Sequence, residues 1–153
     1  MSPTPVLQTL EPGYLGYFSP ELNQIVVNGL YSQYVQRVTA AHETAHAAHA
    51  TYLGTNTAED LVLTEYVAWW RDALYAVQLD KAGQGPEASD EVGQRVLEDA
   101  RRYLRDPRGS FRRAMAGYHD QIRAFLEREG NSMDPAAFVA QIVRSLQTKT
   151  VEG

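Results

Sequence analysis

Three residues within one pentapeptide, His42, Glu43 and His46, have types and a spacing that indicate metal chemistry. On a helix, histidines four positions apart stand on one face about one turn apart, so both imidazoles can reach a single zinc ion. A glutamate between them lies about 100° round the helix, where it can accept a proton from metal-bound water without acting as a ligand. This H-E-x-x-H spacing is typical of zinc metallopeptidases. We therefore predict one zinc ion per chain, bound by the two histidines, with Glu43 as the general base.

A catalytic zinc needs a third protein ligand and an open fourth position, and Glu65 is the best candidate for that ligand. Glu65 lies on an otherwise apolar stripe of the predicted second helix. A carboxylate there is costly unless it is paired or bound to a metal. The alternative is a salt bridge to Arg37 or to an arginine of the third helix. Asp72, two turns further along the stripe, is a candidate for orienting a histidine ring from behind.

His49 lies on the same face of the predicted first helix as His42 and His46. On an unbroken helix it lies about 10.5 Å along the axis from His42, too far for one ion to bind all three histidines. We therefore expect His49 to support the ligands and not to be one.

A peptidase also needs a hydrogen-bond donor for the oxyanion and a surface for the substrate. Tyr118, His119, Tyr31 and Tyr34 are unranked candidates for the donor. Val26 and Val27, expected on the edge of a hairpin, are candidates for holding an extended peptide by strand addition.

The motif and its surroundings resemble the gluzincin group of zinc metallopeptidases. Residues 24–28, 36–46 and 65–68, which read QIVVN, QRVTAAHETAH and EYVA, are similar to the ImmA/IrrE type. The similarity covers residues 13–76 and implies a strand, a motif helix and a second helix with an acidic ligand. It implies zinc at His42, His46 and Glu65, with Glu43 as base. Antirestriction proteins with a similar core are a second candidate relative. The chain differs from the ImmA/IrrE pattern at Ala45, usually glycine, and at Trp69, often asparagine.

The elements that must position these residues form an α+β fold with mostly helical content. A hairpin is predicted over residues 13–28, with the turn-forming Pro20-Glu-Leu-Asn between its strands. Helices are predicted over residues 32–53, 57–80, 90–105 and 110–128, and from Asp134-Pro135 to about 147. Gly54 is expected to end the first helix, and a Thr57–Asp60 capping box to begin the second. We expect a minimal zincin fold in which a small N-terminal hairpin or sheet packs on a long active-site helix. Residues 1–153 would form one domain, with a catalytic core at 13–80 and additional helices at 90–153.

Composition and charge narrow the function classes. With no cysteine among its 153 residues, the chain has no disulfide, thiolate zinc finger or cysteine nucleophile. The net charge of −5 argues against a protein that coats nucleic acid. Residues 101–153 are nevertheless basic, with 10 Lys and Arg against 6 Asp and Glu.

The basic segment 101–113 leaves a second function open. Its arginines either balance the acidic first part of the chain or dock an acidic partner. The alternative to a peptidase acting on a peptide or protein substrate is thus a catalytically silent zincin-fold module that docks through its arginine-rich helices. A metal-free helical interaction domain is the third possibility. No secretory signal or membrane span is visible, so we expect a cytoplasmic protein without membrane association.

Overall fold

A small sheet forms the N-terminal part of the molecule. The structure is a computed structural model, and it describes the backbone of residues 4–52 and 57–152. Side chains are described for residues 4–48 and 57–146. The strands of the sheet are β1 (Pro5–Gln8), β2 (Gly16–Ser19) and β3 (Gln24–Asn28). β2 and β3 are rich in aromatic and β-branched residues and pair antiparallel, which confirms the predicted hairpin. β1, which was not predicted, pairs with β3 in parallel.

The strand order β1-β3-β2 makes β3 the central strand. The prediction that Val26 and Val27 lie on a free hairpin edge is therefore wrong. Both residues are 1% exposed, and the backbone on both sides of β3 is hydrogen-bonded to a neighbouring strand. Within the described residues, β1 and β2 are the edge strands of the sheet.

The side chain of Asn28, fully buried at the end of β3, anchors the loop between β1 and β2. Its amide nitrogen donates to the carbonyls of Leu10, Glu11 and Tyr14, at 3.4, 3.2 and 2.7 Å. Its amide oxygen accepts from the backbone N–H groups of Leu10 and Leu30. Every polar atom of this buried amide thus has a backbone partner, as the cost of burying it requires.

The sheet packs on the first helix, α1 (Gln33–Tyr52). Ile25 and Val27 of β3 form an apolar cluster with Ala47 of α1. β2 approaches closely at Gly16, where a Cβ atom would lie 2.5 Å from the carbonyl oxygen of Val26 and 2.8 Å from Cγ2 of Thr39. Glycine is required here because any side chain would push β2 away from both its partner strand and α1.

α1 and the second helix, α2 (Ala58–Lys81), run antiparallel. The Tyr34 hydroxyl donates to the Ala76 carbonyl, His42 contacts Asp72, and His46 contacts Glu65, so the numbering descends on α2 as it rises on α1. The Thr57 side chain accepts from the Asp60 N–H, which confirms the predicted cap. Gly54, predicted to end α1, lies outside the described residues.

Four further helices cover the α1–α2 pair: α3 (Glu91–Arg105), α4 (Pro107–Met115), α5 (His119–Arg128) and α6 (Pro135–Glu152). The single helix predicted over 110–128 is wrong, because a 3-10 turn at Ala116–Tyr118 separates α4 from α5. Gly117, a poor helix former, lies in that turn. α4 also begins earlier than predicted, because Asp106 caps it and Pro107 takes its first position. α6 begins as predicted at Pro135 and continues past residue 147 to Glu152.

One buried cluster joins residues of all six helices, including Val35, Val62, Leu97, Phe111, Leu126 and Val143. The described residues are 66% helical and include a three-stranded N-terminal sheet, which confirms the α+β prediction. None of the helices in the described part of the chain has the length and apolar character that a bilayer-spanning segment needs.

Candidate metal centre

Two helices bring the predicted ligands together. His42 and His46 of α1 place their Nε2 atoms 3.2 Å apart. Glu65 of α2 faces them, with Oε1 at 3.0 Å from Nε2 of His46 and Oε2 at 3.7 Å from Nε2 of His42. Within the described residues, these three side chains form a group that could hold a metal ion, each offering one ligand atom.

The spacing of the two histidines fits a tetrahedral ion. Ligand atoms bound to zinc at about 2.0–2.1 Å with tetrahedral angles lie roughly 3.3 Å from one another, and the two Nε2 atoms are 3.2 Å apart. One ligand atom from each of the three residues lies within 4.8 Å of the other two, and the Glu65 carboxylate directs one oxygen at each imidazole. The donor set of two imidazoles and one carboxylate also matches the ligands of catalytic zinc sites.

Glu65 itself supports the fit. The residue is only 4% exposed, and its Oε2 atom has no hydrogen-bond partner among the described residues. The salt bridge with Arg37 weighed above is not formed, since Nη1 of that arginine donates to Oε1 of Gln84. A buried carboxylate oxygen without a partner is destabilising, and a cation between Glu65 and the histidines would remove that cost.

Asp72 lies behind His42, in the predicted position. Its Oδ2 atom is 2.7 Å from Nδ1 of His42, and the Trp69 ring packs edge-on against the same imidazole at 5.4 Å. Burial lowers the pKa of His42, but the hydrogen bond and charge of Asp72, followed by the charges of Glu65 and Glu43, bring that pKa above 6.5. Burial raises the pKa of Asp72, and its contact with His42 partly offsets the rise.

Glu43 lines the cavity next to His42. Burial raises the pKa of its carboxyl above 4.5, and the charges of Glu65 and Asp72 add to the rise, whereas His42 and His46 lower it. Among the described residues, the group that could hold a metal ion comprises His42, His46 and Glu65, and Glu43 stands beside it.

Of the four candidate oxyanion donors, Tyr118 has the best support. Burial raises its pKa to about 12, and the charges of Glu65 and Glu43 add to the rise. His119 is half-buried at the start of α5, and no described contact joins it to the candidate ligands.

The hydroxyls of the other two candidates are engaged elsewhere. The Tyr31 hydroxyl accepts from the Gly13 N–H, and the Tyr34 hydroxyl donates to Ala76. His49 lies on α1, but its side chain is outside the described residues.

A cavity of about 510 Å³ adjoins the centre and contains residues that the sequence analysis did not assign to a site. Tyr103 of α3 stacks near Trp69 at 6.5 Å, and both rings line the cavity. Trp69 follows Glu65 by one helical turn, so its position near the site was predictable from spacing. The contribution of α3 and α4 was not, because it depends on how these helices pack on α2.

The comparisons with known proteins identified no relative of this chain. No family model matches the chain, and no match was found among curated proteins or among solved structures. The geometry therefore defines the site only as a His-His-carboxylate group that could bind a metal ion.

Proposed function

We propose that this chain is a zinc-dependent metallopeptidase of the gluzincin group, nearest to the ImmA/IrrE type, that hydrolyses peptide bonds. One observation carries the proposal. Nε2 of His42, Nε2 of His46 and the Glu65 carboxylate converge as a group that could hold one metal ion, and Glu43 lines the cavity beside them.

The residues of the site then have distinct roles. His42, His46 and Glu65 hold the ion, and Asp72 orients the His42 ring. Zinc held there would supply a Lewis acid that polarises the peptide carbonyl and lowers the pKa of a water molecule. Glu43 accepts a proton from the attacking water and passes it to the leaving amine.

Substrate would bind along β2 and not along β3, whose two sides are already paired. Leu15, directly before β2, lines the same cavity as Glu43. An extended peptide that pairs with the unpaired edge of β2 would therefore pass beside the general base. Tyr118 is the preferred donor to the oxyanion because the hydroxyls of the other two tyrosine candidates, Tyr31 and Tyr34, are engaged with Gly13 and Ala76.

Elemental analysis and a peptidase assay test this proposal together. The purified protein should contain one zinc ion per chain and cleave unstructured peptides. Glu43→Gln should keep the zinc and lose activity by a factor of about 10² or more. Glu127→Gln, on the exposed face of α5, is the matched control and should retain both. Full activity of Glu43→Gln would refute the mechanism, and absence of bound metal would refute the site.

The second candidate function is a catalytically silent module that docks an acidic partner. Three arginines favour the docking module, because their side chains are exposed and none forms an ion pair among the described residues: Arg105, Arg108 and Arg112. By contrast, Arg101 is engaged with Asp80 at 2.9 Å. Stoichiometric zinc without hydrolysis of any peptide would favour this module over the peptidase.

A further inference from the structure

The cavity beside the candidate centre lies between the α1–α2 pair and the helices α3 and α4, and each side contributes about half of its lining residues. Its volume of about 510 Å³ is in the range of small-ligand pockets. His42, Glu43 and Asp72 contribute to one part of its wall. The rest is mostly apolar, with two aromatic rings and four small side chains: Trp69, Tyr103, Ala73, Ala76, Ala100 and Ala114.

The alanines determine the size of this space. Two of them lie on α2, and Ala100 and Ala114 lie on α3 and α4. Larger side chains at these positions would fill the cavity, so the small residues leave room for an apolar group from outside. Transfer of such a group from water into an apolar cavity is favourable.

Two arginines and one aspartate, Arg102, Arg113 and Asp99, line the solvent-exposed side of the cavity. Arg102 and Arg113 line it with side chains that are 53% and 63% exposed, which places them where the cavity meets solvent. Arg102 donates to Asp99 at 3.4 Å and lies 4.0 Å from Glu98. Arg113 donates to the Ser110 hydroxyl at 3.3 Å and lies 3.8 Å from Asp106. These contacts are long for charged pairs and use only part of each guanidinium. Both guanidinium groups therefore retain donors for an incoming carboxylate.

We propose that this cavity binds the C-terminal residue of a peptide, with a large apolar side chain among the alanines and the terminal carboxylate on Arg102 and Arg113. The peptide identity of this ligand rests on the proposed function. The inference assigns a role to α3 and α4: they select the substrate beside the centre that α1 and α2 build.

Binding can be measured without activity through Trp69, which lines the cavity. The chain has two tryptophans, and Trp70 does not line the cavity, so Trp70→Phe leaves Trp69 as the single reporter. We would titrate this protein, metal-free and zinc-loaded, with N-acetyl-L-leucine, N-acetyl-L-leucinamide and N-acetylglycine. N-acetyl-L-leucine should bind at least about tenfold more tightly than N-acetylglycine, because it alone of the two buries a large apolar side chain. It should also bind more tightly than the amide, even without metal, because the arginines hold its carboxylate.

Variants with matched controls separate the two parts of the pocket. Ala114→Leu, at a half-buried lining position, should weaken N-acetyl-L-leucine binding about tenfold or more, whereas Ala124→Leu on the exposed face of α5 should not. Arg113→Gln should remove the preference for the acid over the amide, whereas Arg112→Gln, which does not line the cavity, should keep it.

Two results would overturn the proposal: equal binding of N-acetylglycine and N-acetyl-L-leucine, or no effect of Ala114→Leu. These failures are distinct from failure of the proposed function. Binding of N-acetyl-L-leucine by a protein that hydrolyses nothing supports the pocket and counts against the peptidase. Hydrolysis that ignores the size of the C-terminal side chain supports the peptidase and refutes the pocket.

Discussion

Oδ2 of Asp72 lies 2.7 Å from Nδ1 of His42, across the interface between α1 and α2. When the imidazole is neutral, this contact places its proton on Nδ1, which donates to the carboxylate and leaves the Nε2 lone pair directed at His46 and Glu65. One aspartate thus sets both the tautomer and the orientation of a candidate metal ligand. The contact also has consequences for pH dependence.

We expect Asp72→Asn to lower the pKa of His42 in the metal-free protein. The variant removes the Asp72 charge, which raises this pKa. Burial of the imidazole, which lowers the pKa, is unchanged. In the unmodified protein, zinc affinity should fall as the pH drops through the raised pKa, because the proton competes with the metal. NMR titration of the histidine ring protons measures the pKa. An unchanged or higher His42 pKa in Asp72→Asn would contradict the assignment.

The same substitution should weaken zinc binding by about 10- to 100-fold, the usual cost of losing a carboxylate behind a histidine ligand. Competition with a chelator of known affinity measures the zinc affinity of each protein. Asp80→Asn is a suitable control, because Asp80 lies on the same helix but pairs with Arg101 and not with the histidines.

Zinc should stabilise the fold, and Glu65 should be required for that effect. At a free zinc concentration of 100 times the dissociation constant, mass action contributes about 2.7 kcal/mol. For a chain of this size this corresponds to a rise in Tm of roughly 5–10 °C. Glu65→Gln removes one ligand and should abolish most of the rise, as measured by calorimetry with and without a chelator. An equal rise in both proteins would place the metal elsewhere.

Tyr118→Phe should lower kcat and leave zinc affinity unchanged. The substitution removes only the hydroxyl that the proposal directs at the oxyanion, and loss of one such donor costs about 10²–10³ in rate. His119→Gln, at the neighbouring position, serves as the comparison and should retain most of the activity. A larger loss in His119→Gln would reverse the assignment of the two residues.

Asn28→Ala should destabilise the protein by about 2–4 kcal/mol, because it removes the hydrogen bonds by which this buried amide holds the loop between β1 and β2. The affected groups include the Leu10 N–H and the Tyr14 carbonyl. Urea unfolding at fixed zinc concentration measures the loss. Asn131→Ala, where the side chain makes one exposed contact with Met133, should cost far less.

The candidate ligands were predictable because their geometry is local. Helical spacing alone places His42 and His46 on one face, and an acidic residue on the apolar stripe of α2 indicates Glu65. The antiparallel packing that joins them follows from a short connection between two helices. The caps at Thr57 and Asp134 were equally local and were confirmed.

The unpredicted strand and the wrong edge assignment both depend on contacts between distant parts of the chain. β1 has four exposed residues without an alternating pattern, so only its pairing with β3 makes it a strand. That pairing is also what moves Val26 and Val27 from an edge to the centre of the sheet. The 3-10 turn at Gly117, which divides the helix predicted over 110–128, has a local cause. A glycine inside a helical pattern indicates a break, so this turn was predictable from the sequence.

The three candidate ligands all lie between positions 42 and 65, on consecutive helices. Closing so short a loop costs little chain entropy, and helix pairs with local contacts form quickly. During synthesis, α1 and α2 would leave the ribosome before residues 82–153, so an ion could bind this helix pair before α3 and α4 complete the cavity. We therefore expect metal to act early in folding, as a nucleus that speeds refolding, and not only as a late addition to the finished protein.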